Sequence, residues 1–336
     1  MKVKRLFRVL FTGLAITVAL LVIAGIVYER IGRRNDRQRF AQVGKSFDIG
    51  GRTLNIYCSG SGGPTVILEG GYSWVNVQSE IAKFTRACWY ERAGQGWSDP
   101  GPSQHTASAV ARDLHDLLQV AAIPPPYVLV GASFGGFPVR VFAGKYPDEV
   151  AGIVLVDSAH EDQQEPPSMK APVNKLPSVV RSALCVLLPT AGEVGIVRLM
   201  SGGGGPTSRG MTPDQAAYSQ FLSNQPKSVV ASGDEGCNWE RTAAEVRAAG
   251  NLGDRPLIVL TAGQAFVPDN PTEAQEASAF HDLWMHRLQP QLAQLSSRGR
   301  QVIVEKSGHG IQFEAPEAVI GAVHEVVTQL HEQQQK

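Results

Sequence analysis

The sequence predicts a mainly parallel α/β sheet, interrupted by a helical insertion and preceded by one membrane-spanning helix. Three observations carry this expectation: an uncharged N-terminal run, short apolar β-like runs alternating with amphipathic helical patterns, and a long internal stretch with helix starts but no strand runs. The 336 residues suffice for one large domain with extras or for two small domains, and 43% hydrophobic against 18% charged residues excludes a disordered or coiled-coil chain. The 35 Gly and 21 Pro imply many turns between short elements. Formal charge is zero, yet the first 39 residues hold nine Lys/Arg and two acidic residues. The remainder carries 22 basic against 29 acidic residues, an acidic balance that argues against a nucleic-acid partner.

Val9 to Tyr28 is a run of 20 residues without a charge. At about 1.5 Å per residue, a helix of that length crosses the roughly 30 Å hydrocarbon layer of a bilayer. A cleaved signal peptide has an apolar region of about 7 to 15 residues and then a small-x-small site. This run is longer and ends in Ile26-Val27-Tyr28-Glu29-Arg30, so a retained single-pass anchor is expected, with a long signal peptide as the alternative. A buried core helix fits poorly, because the run is apolar on every face. Lys2, Lys4, Arg5 and Arg8 precede it while Arg30, Arg33, Arg34, Arg37 and Arg39 follow, so charge does not choose the sidedness. Residues 29–42 are charged and aperiodic and read as a tether.

Strand patterns come next along the chain. Ser46 to Ile49 and Thr53 to Cys58, joined through Gly50-Gly51, read as a hairpin; Thr65 to Leu68, Ala87 to Tyr90, Tyr127 to Val130 and Ile153 to Val156 read as further strands. Val110, Leu114, Leu117 and Leu118 mark one crossover helix, and a second runs from about Phe134 to Tyr146. Leu257 to Leu260 and Gln301 to Val304 are two more strands, and Pro316 opens a closing helix with Val319, Val323, Val326, Val327 and Leu330 at helical spacing. Residues 161–250 break the alternation: they contain helix starts such as Thr212-Pro213 and a flexible Gly202 to Gly205 stretch. Such an insertion is placed to cover the C-terminal strand edge, where open α/β sheets bind ligands.

Gly131-Ala132-Ser133-Phe134-Gly135 comes after an apolar strand and precedes a helical pattern. A sharp strand-to-helix turn strains the central residue and lifts its hydroxyl above the sheet, tolerable only with small residues two before and two after. A serine hydroxyl needs a base to become a nucleophile, and His309, in Ser307-Gly308-His309-Gly310 just past the last strand, is the histidine placed to reach back over the sheet. His115, His281, His286, His324 and His331 fall on helices, His105 in a loop before one, and His160 beside the start of the insertion. No zinc spacing, dinucleotide fingerprint or phosphate loop is present, so no cofactor is expected.

The chain resembles the α/β-hydrolase family from about residue 44 to 330. The motifs are Leu68-Glu69-Gly70-Gly71, Tyr90-Glu91-Arg92-Ala93-Gly94-Gln95-Gly96-Trp97-Ser98-Asp99, the Ser133 turn, Leu155-Val156-Asp157 and Gly308-His309. The resemblance implies an eight-stranded sheet with a helical cap after the sixth strand. The expected division is therefore a basic segment 1–8, a transmembrane helix 9–28, a charged linker 29–42, a hydrolase core over 43–160 and 251–336, and a cap over 161–250. It also implies Ser133 as nucleophile, His309 as base, and an oxyanion hole from the Gly71 and Phe134 amides. Ala132 and Glu69-Gly70 stand where many members have a histidine and His-Gly, which leaves the backbone donors in place but lines the pocket differently.

Two acids keep the family order of serine, acid and histidine. Asp157 directly follows a strand, which would orient it rigidly, while Asp269 lies six residues past Gly263 in Val267-Pro268-Asp269-Asn270-Pro271 and doubles as a turn residue. The family sheet sets its second and fourth strands side by side, so the resemblance makes Cys58 and Cys88 neighbours, and Cys185 and Cys237 share the insertion. Four free thiols remain the alternative; disulfides would place the catalytic body outside the cytoplasm. The expected activity is a membrane-anchored serine esterase acting on a small ester-type molecule. Thioester, lactone, amide or carbon–carbon hydrolysis and a non-catalytic receptor or adhesion module are its rivals.

Overall fold

The computed structural model describes residues 2–101, 105–166, 169, 177–200 and 211–335. The glycine stretch Gly202 to Gly205 lies outside the described residues. In chain order, α1 (Lys2–Arg39) precedes the hairpin β1 (Lys45–Asp48) and β2 (Thr53–Ser59), then β3 (Thr65–Glu69), α2 (Val75–Ile81), β4 (Ala87–Tyr90) and α3 (Ala107–Val120). Next come β5 (Tyr127–Ala132), α4 (Gly136–Lys145) and β6 (Val150–Val156). The inserted helices are α5 (Ser178–Glu193), α6 (Ile196–Met200), α7 (Pro213–Ser223), α8 (Pro226–Cys237) and α9 (Trp239–Ala248). The chain closes with β7 (Leu257–Ala262), α10 (Pro271–Leu283), α11 (Gln289–Ala293), β8 (Gly299–Val304), α12 (Ile311–Glu314) and α13 (Pro316–Gln334).

The eight strands form one sheet in the order β1-β2-β4-β3-β5-β6-β7-β8. β2 pairs antiparallel with both β1 and β4, and every pair from β4 to β8 is parallel. Because successive strand side chains face opposite sides, β5 sends Tyr127 and Leu129 into one core with α3, α4, α9 and α11, and Val128 and Val130 into a second with α2, α12 and α13. The central strands are buried on both faces, which explains why they read as apolar runs rather than alternating ones. The crossover at the strand reversal beside β3 and β5 leaves the C-terminal ends of the parallel strands as the floor of a crevice.

The helix α1 departs from the expected end at Tyr28 and the aperiodic linker over 29–42: it continues to Arg39. Its charged part has partners. Arg33 Nε donates to Glu29 Oε1 at 2.9 Å, one turn apart, and Arg198 donates to Glu29 and to Asp36. The apolar part stands exposed, with Phe11 at 73% and Leu21 at 67%. Just past the helix, Phe40 stacks on Phe221 with ring centroids 4.8 Å apart and meets Tyr218 and Val43 in a small apolar cluster. The segment is therefore fastened to α7 rather than a free tether.

Two disulfides are present. Cys58–Cys88 bridges directly paired positions of β2 and β4, and Cys185–Cys237 ties α5 to α8.

Candidate active site

The site grows from the strand ends. Ser133 leaves β5 with φ 51, a left-handed conformation rare for a side chain with a Cβ, and opens a 3-10 turn over Ser133–Gly135 that feeds α4. The flanking residues show why this turn needs glycine. A Cβ at Gly131 would stand 2.4 Å from the Gly135 carbonyl oxygen, and one at Gly136 would stand 2.4 Å from Ser158 Oγ. The Ser133 carbonyl accepts the Ala159 N–H at 2.9 Å, which clamps the turn to the chain leaving β6.

Asp157 directly follows β6, also in the left-handed region at φ 41. Its Oδ1 accepts the Ala262 amide at 2.9 Å and the Trp284 indole N–H at 2.8 Å. Both lone pairs of Oδ1 are thus engaged, and Oδ2 is left to face His309, whose Nδ1 lies 2.6 Å away. The hydrogen bond to Asp157 raises the His309 pKa above its ordinary 6.5. Its loop is pinned from behind: the Gly308 N–H donates to Glu314 Oε2 at 2.9 Å and the Gln264 N–H to the Ser307 carbonyl at 2.9 Å. The imidazole itself is 63% exposed, so with Nδ1 on Asp157 its Nε2 is presented on the open side. Asp269 is exposed in the loop before α10, next to Asn270, which caps that helix.

Gly71 and Phe134 each lie in the first turn of a 3-10 segment, where amide N–H groups have no intrahelical acceptor. Gly70 and Gly71 have φ of 111 and 70, so the loop after β3 takes a course that favours glycine at both positions. Beneath them lies an ion cluster. Arg92 Nη2 donates to Glu69 Oε2 at 2.7 Å, its Nε donates to Glu69 Oε1, its Nη1 donates to Glu235 Oε1 of α8 at 2.9 Å, and the guanidinium sits 4.9 Å over the Phe134 ring. Burial raises the Glu235 carboxyl against the pull of Arg92. A Cβ at Gly135 would stand 2.1 Å from Glu69 Oε2, so the last glycine of the serine turn makes room for this cluster as well. Next to it, burial pushes Glu91 up to about 7 despite hydrogen bonds from the Trp97 amide and Asn55.

A cavity of about 720 Å³ adjoins this region through Gly70 and Gly71 and runs on between Glu91, Gln95 and the helices α5, α7 and α8. Ser133 and His309 are not in its wall, so it borders the strand-end crevice on the side of the loop after β3. Trp284, Glu314 and the pairing of Glu69 with Arg92 and Glu235 have no signature in the sequence. Trp284 sits on a π-helical turn over Trp284–Leu288, a backbone irregularity that local spacing does not announce. His160 is buried, accepts the Asp162 N–H at Nδ1, and is held below its ordinary pKa by burial.

Comparison with known proteins agrees with the architecture. A family model described as alpha/beta hydrolase fold matches residues 56–244. Two uncharacterized proteins of Bacillus subtilis (strain 168) are relatives. YqjL is 24% identical over 292 residues, 85% of this chain and 92% of YqjL, and YbdG is 24% identical over 160 residues, 46% of this chain and only 49% of YbdG. Among solved structures, a thermophilic esterase from Thermogutta terrifontis superposes with a TM-score of 0.55 at 21% identity, over 83% of this chain and 94% of that one. With the family match covering more than half of its length and the eight-stranded, mostly parallel sheet beneath it, the chain belongs to the α/β-hydrolase fold family.

Proposed function

We propose that the chain is a membrane-anchored serine hydrolase that cleaves carboxylic esters by acyl transfer through Ser133, with residues 161–250 as the cap over the site. The observation that carries this reading is the 2.6 Å contact of His309 with the doubly held Asp157, at the strand ends where Ser133 occupies its strained turn. Ser133 Oγ attacks the acyl carbon while His309 Nε2 takes its proton, and the Gly71 and Phe134 amides receive the charge on the carbonyl oxygen. The imidazolium, held by Asp157, then returns the proton to the leaving alcohol oxygen, and water repeats the sequence on the acyl-serine. Nothing in this sequence of steps requires a cofactor. The exposed apolar part of α1 supports anchoring in a bilayer, and the two disulfides support an oxidising compartment for the catalytic body.

A fluorophosphonate probe should label the wild-type chain and leave Ser133→Ala unlabelled. Turnover of a short p-nitrophenyl ester should fall by roughly 10⁴- to 10⁶-fold in that variant. Equal labelling of both proteins would remove the enzyme reading.

A further inference from the structure

The insertion meets α1 at successive depths. Gly25, inside the uncharged run, lies so close to Val194 that a Cβ there would stand 2.2 Å from the Val194 carbonyl oxygen. Gly195 returns the approach, its Cβ position being 2.7 Å from the Gly25 carbonyl oxygen. One turn further along, the buried Glu29 accepts hydrogen bonds from Arg33 and Arg198. Past the helix end, Phe40 is locked into the aromatic cluster of α7. At about 1.5 Å of rise per residue, Gly25 falls in the last turn of the run 9–28, so the corner joining α5 to α6 sits where hydrocarbon gives way to headgroups.

On either side of that corner the insertion turns apolar side chains outward. Val186 on α5 is 77% exposed, Leu199 and Met200 on α6 are 72% and 84% exposed, and Leu187 lies beside Val186. Exposed apolar side chains on a helix that packs against an exposed apolar helix have one solvent that suits both. The same helix α5 turns Leu184 and Cys185 into the cavity wall. Immediately past the uncharged run, Arg30, Arg34 and Arg37 are exposed on α1, where cations meet anionic headgroups.

We infer that the face formed by α5 and α6 docks onto the surface of an anionic phospholipid bilayer, with Val186, Leu187, Leu199 and Met200 entering the boundary between headgroups and acyl chains. This rests on the reading of α1 as a membrane anchor and adds to it a substrate class: esters dissolved in the lipid, reaching the cavity past α5. The ties at Gly25, Glu29 and Phe40 set the depth and tilt of the insertion, so the body lies on the membrane instead of standing off it.

The test uses the full chain reconstituted into phosphatidylcholine and phosphatidylglycerol vesicles carrying brominated acyl chains. Val186→Trp and Met200→Trp should each add tryptophan fluorescence that the bromines quench by about half or more, as for a side chain some 5 to 10 Å into the boundary. Val120→Trp should add fluorescence that is not quenched, because Val120 ends α3 at the opposite, N-terminal edge of the parallel strands. A second variant carrying serine at positions 186, 187, 199 and 200 should hydrolyse a long-chain ester in the vesicles about tenfold more slowly while its turnover of a water-soluble short ester is unchanged. If the chain resists carbonate extraction but Val186→Trp and Met200→Trp are quenched no more than Val120→Trp, the docking falls and the anchor stands. If they are unquenched and the serine variant abolishes a dimer seen in detergent, the face covers a second copy and the inference is overturned. Release of the chain by carbonate, or an N-terminus near residue 30, removes the anchor reading and the docking together.

Discussion

In the proposed mechanism Asp157 and His309 act through one 2.6 Å contact, and the expected pH behaviour derives from it. His309 must be neutral to take a proton, so kcat/KM should rise with pH through its folded-state pKa. Because the Asp157 hydrogen bond raises that pKa, the rising limb should have its midpoint above 6.5 and shift down in Asp157→Asn. The same shift stabilises the fold in full below the unfolded value of 6.5, and that contribution is lost as pH rises through the folded value. Asp157→Asn should also lower kcat by about 10⁴, since the ring then favours the wrong tautomer. Asp269→Asn should leave kcat within about threefold, as a substitution of an exposed loop residue. A crippled Asp269→Asn beside a near-normal Asp157→Asn would move the acid to the loop after β7. At Arg92 the expected effect is on stability. Arg92→Met strands Glu69 and Glu235 as buried carboxylates with no cation, which should cost roughly 3 to 5 kcal/mol in denaturant unfolding, and Glu69→Gln added to it should recover part of that loss.

At the scale of elements, the site depends on how each strand end is joined to the next element. The turn after β5 works because glycines at 131, 135 and 136 admit a carbonyl, a carboxylate and a hydroxyl at distances no Cβ tolerates. The chain after β6 works because a π-helical turn far along the sequence sets Trp284 against Asp157. In the insertion, the Cys185–Cys237 bridge closes a separation of 52 residues and holds α5 against α8, so α5 keeps its place in the cavity wall. Chain-entropy reasoning gives such a bridge roughly 4 kcal/mol. Cys185→Ser should therefore make the insertion the first region cut in limited proteolysis, with the β sheet core cut later. Uniform resistance of wild type and variant would show that packing of α5 on α8 suffices by itself.

At the scale of the whole molecule, α1 is both an apolar rod and a structural partner of the insertion. Phe40 packs on Tyr218 and Phe221 of α7, and Tyr218 in turn meets Tyr72 of the segment after β3, so the end of α1 reaches the cavity wall through one aromatic residue. Phe40→Ala should lower the stability of the full chain by roughly 2 kcal/mol, read as a lower thermal midpoint, without altering its resistance to carbonate. An unchanged midpoint would mean that α1 and the body unfold independently.

Most of the sheet and the serine turn could be read along the chain, because their signals are local. A doubly buried strand is an apolar run, a tight strand-to-helix turn demands small residues at fixed offsets, and an uncharged run of 20 residues is long enough to cross a bilayer wherever it packs. The continuation of α1 to Arg39 was hidden because its charged residues look aperiodic until Arg198, 169 residues beyond Glu29, arrives to pair with them. Likewise, along the chain only the strand before Asp157 favours it over Asp269. The difference between their settings is the convergence of Ala262, Trp284 and His309 on one carboxylate, and the exposure of the other. Spacing along the chain encodes contacts within a turn or a strand; ion pairs and hydrogen bonds between groups more than a hundred residues apart exist only once the sheet has brought its strand ends together.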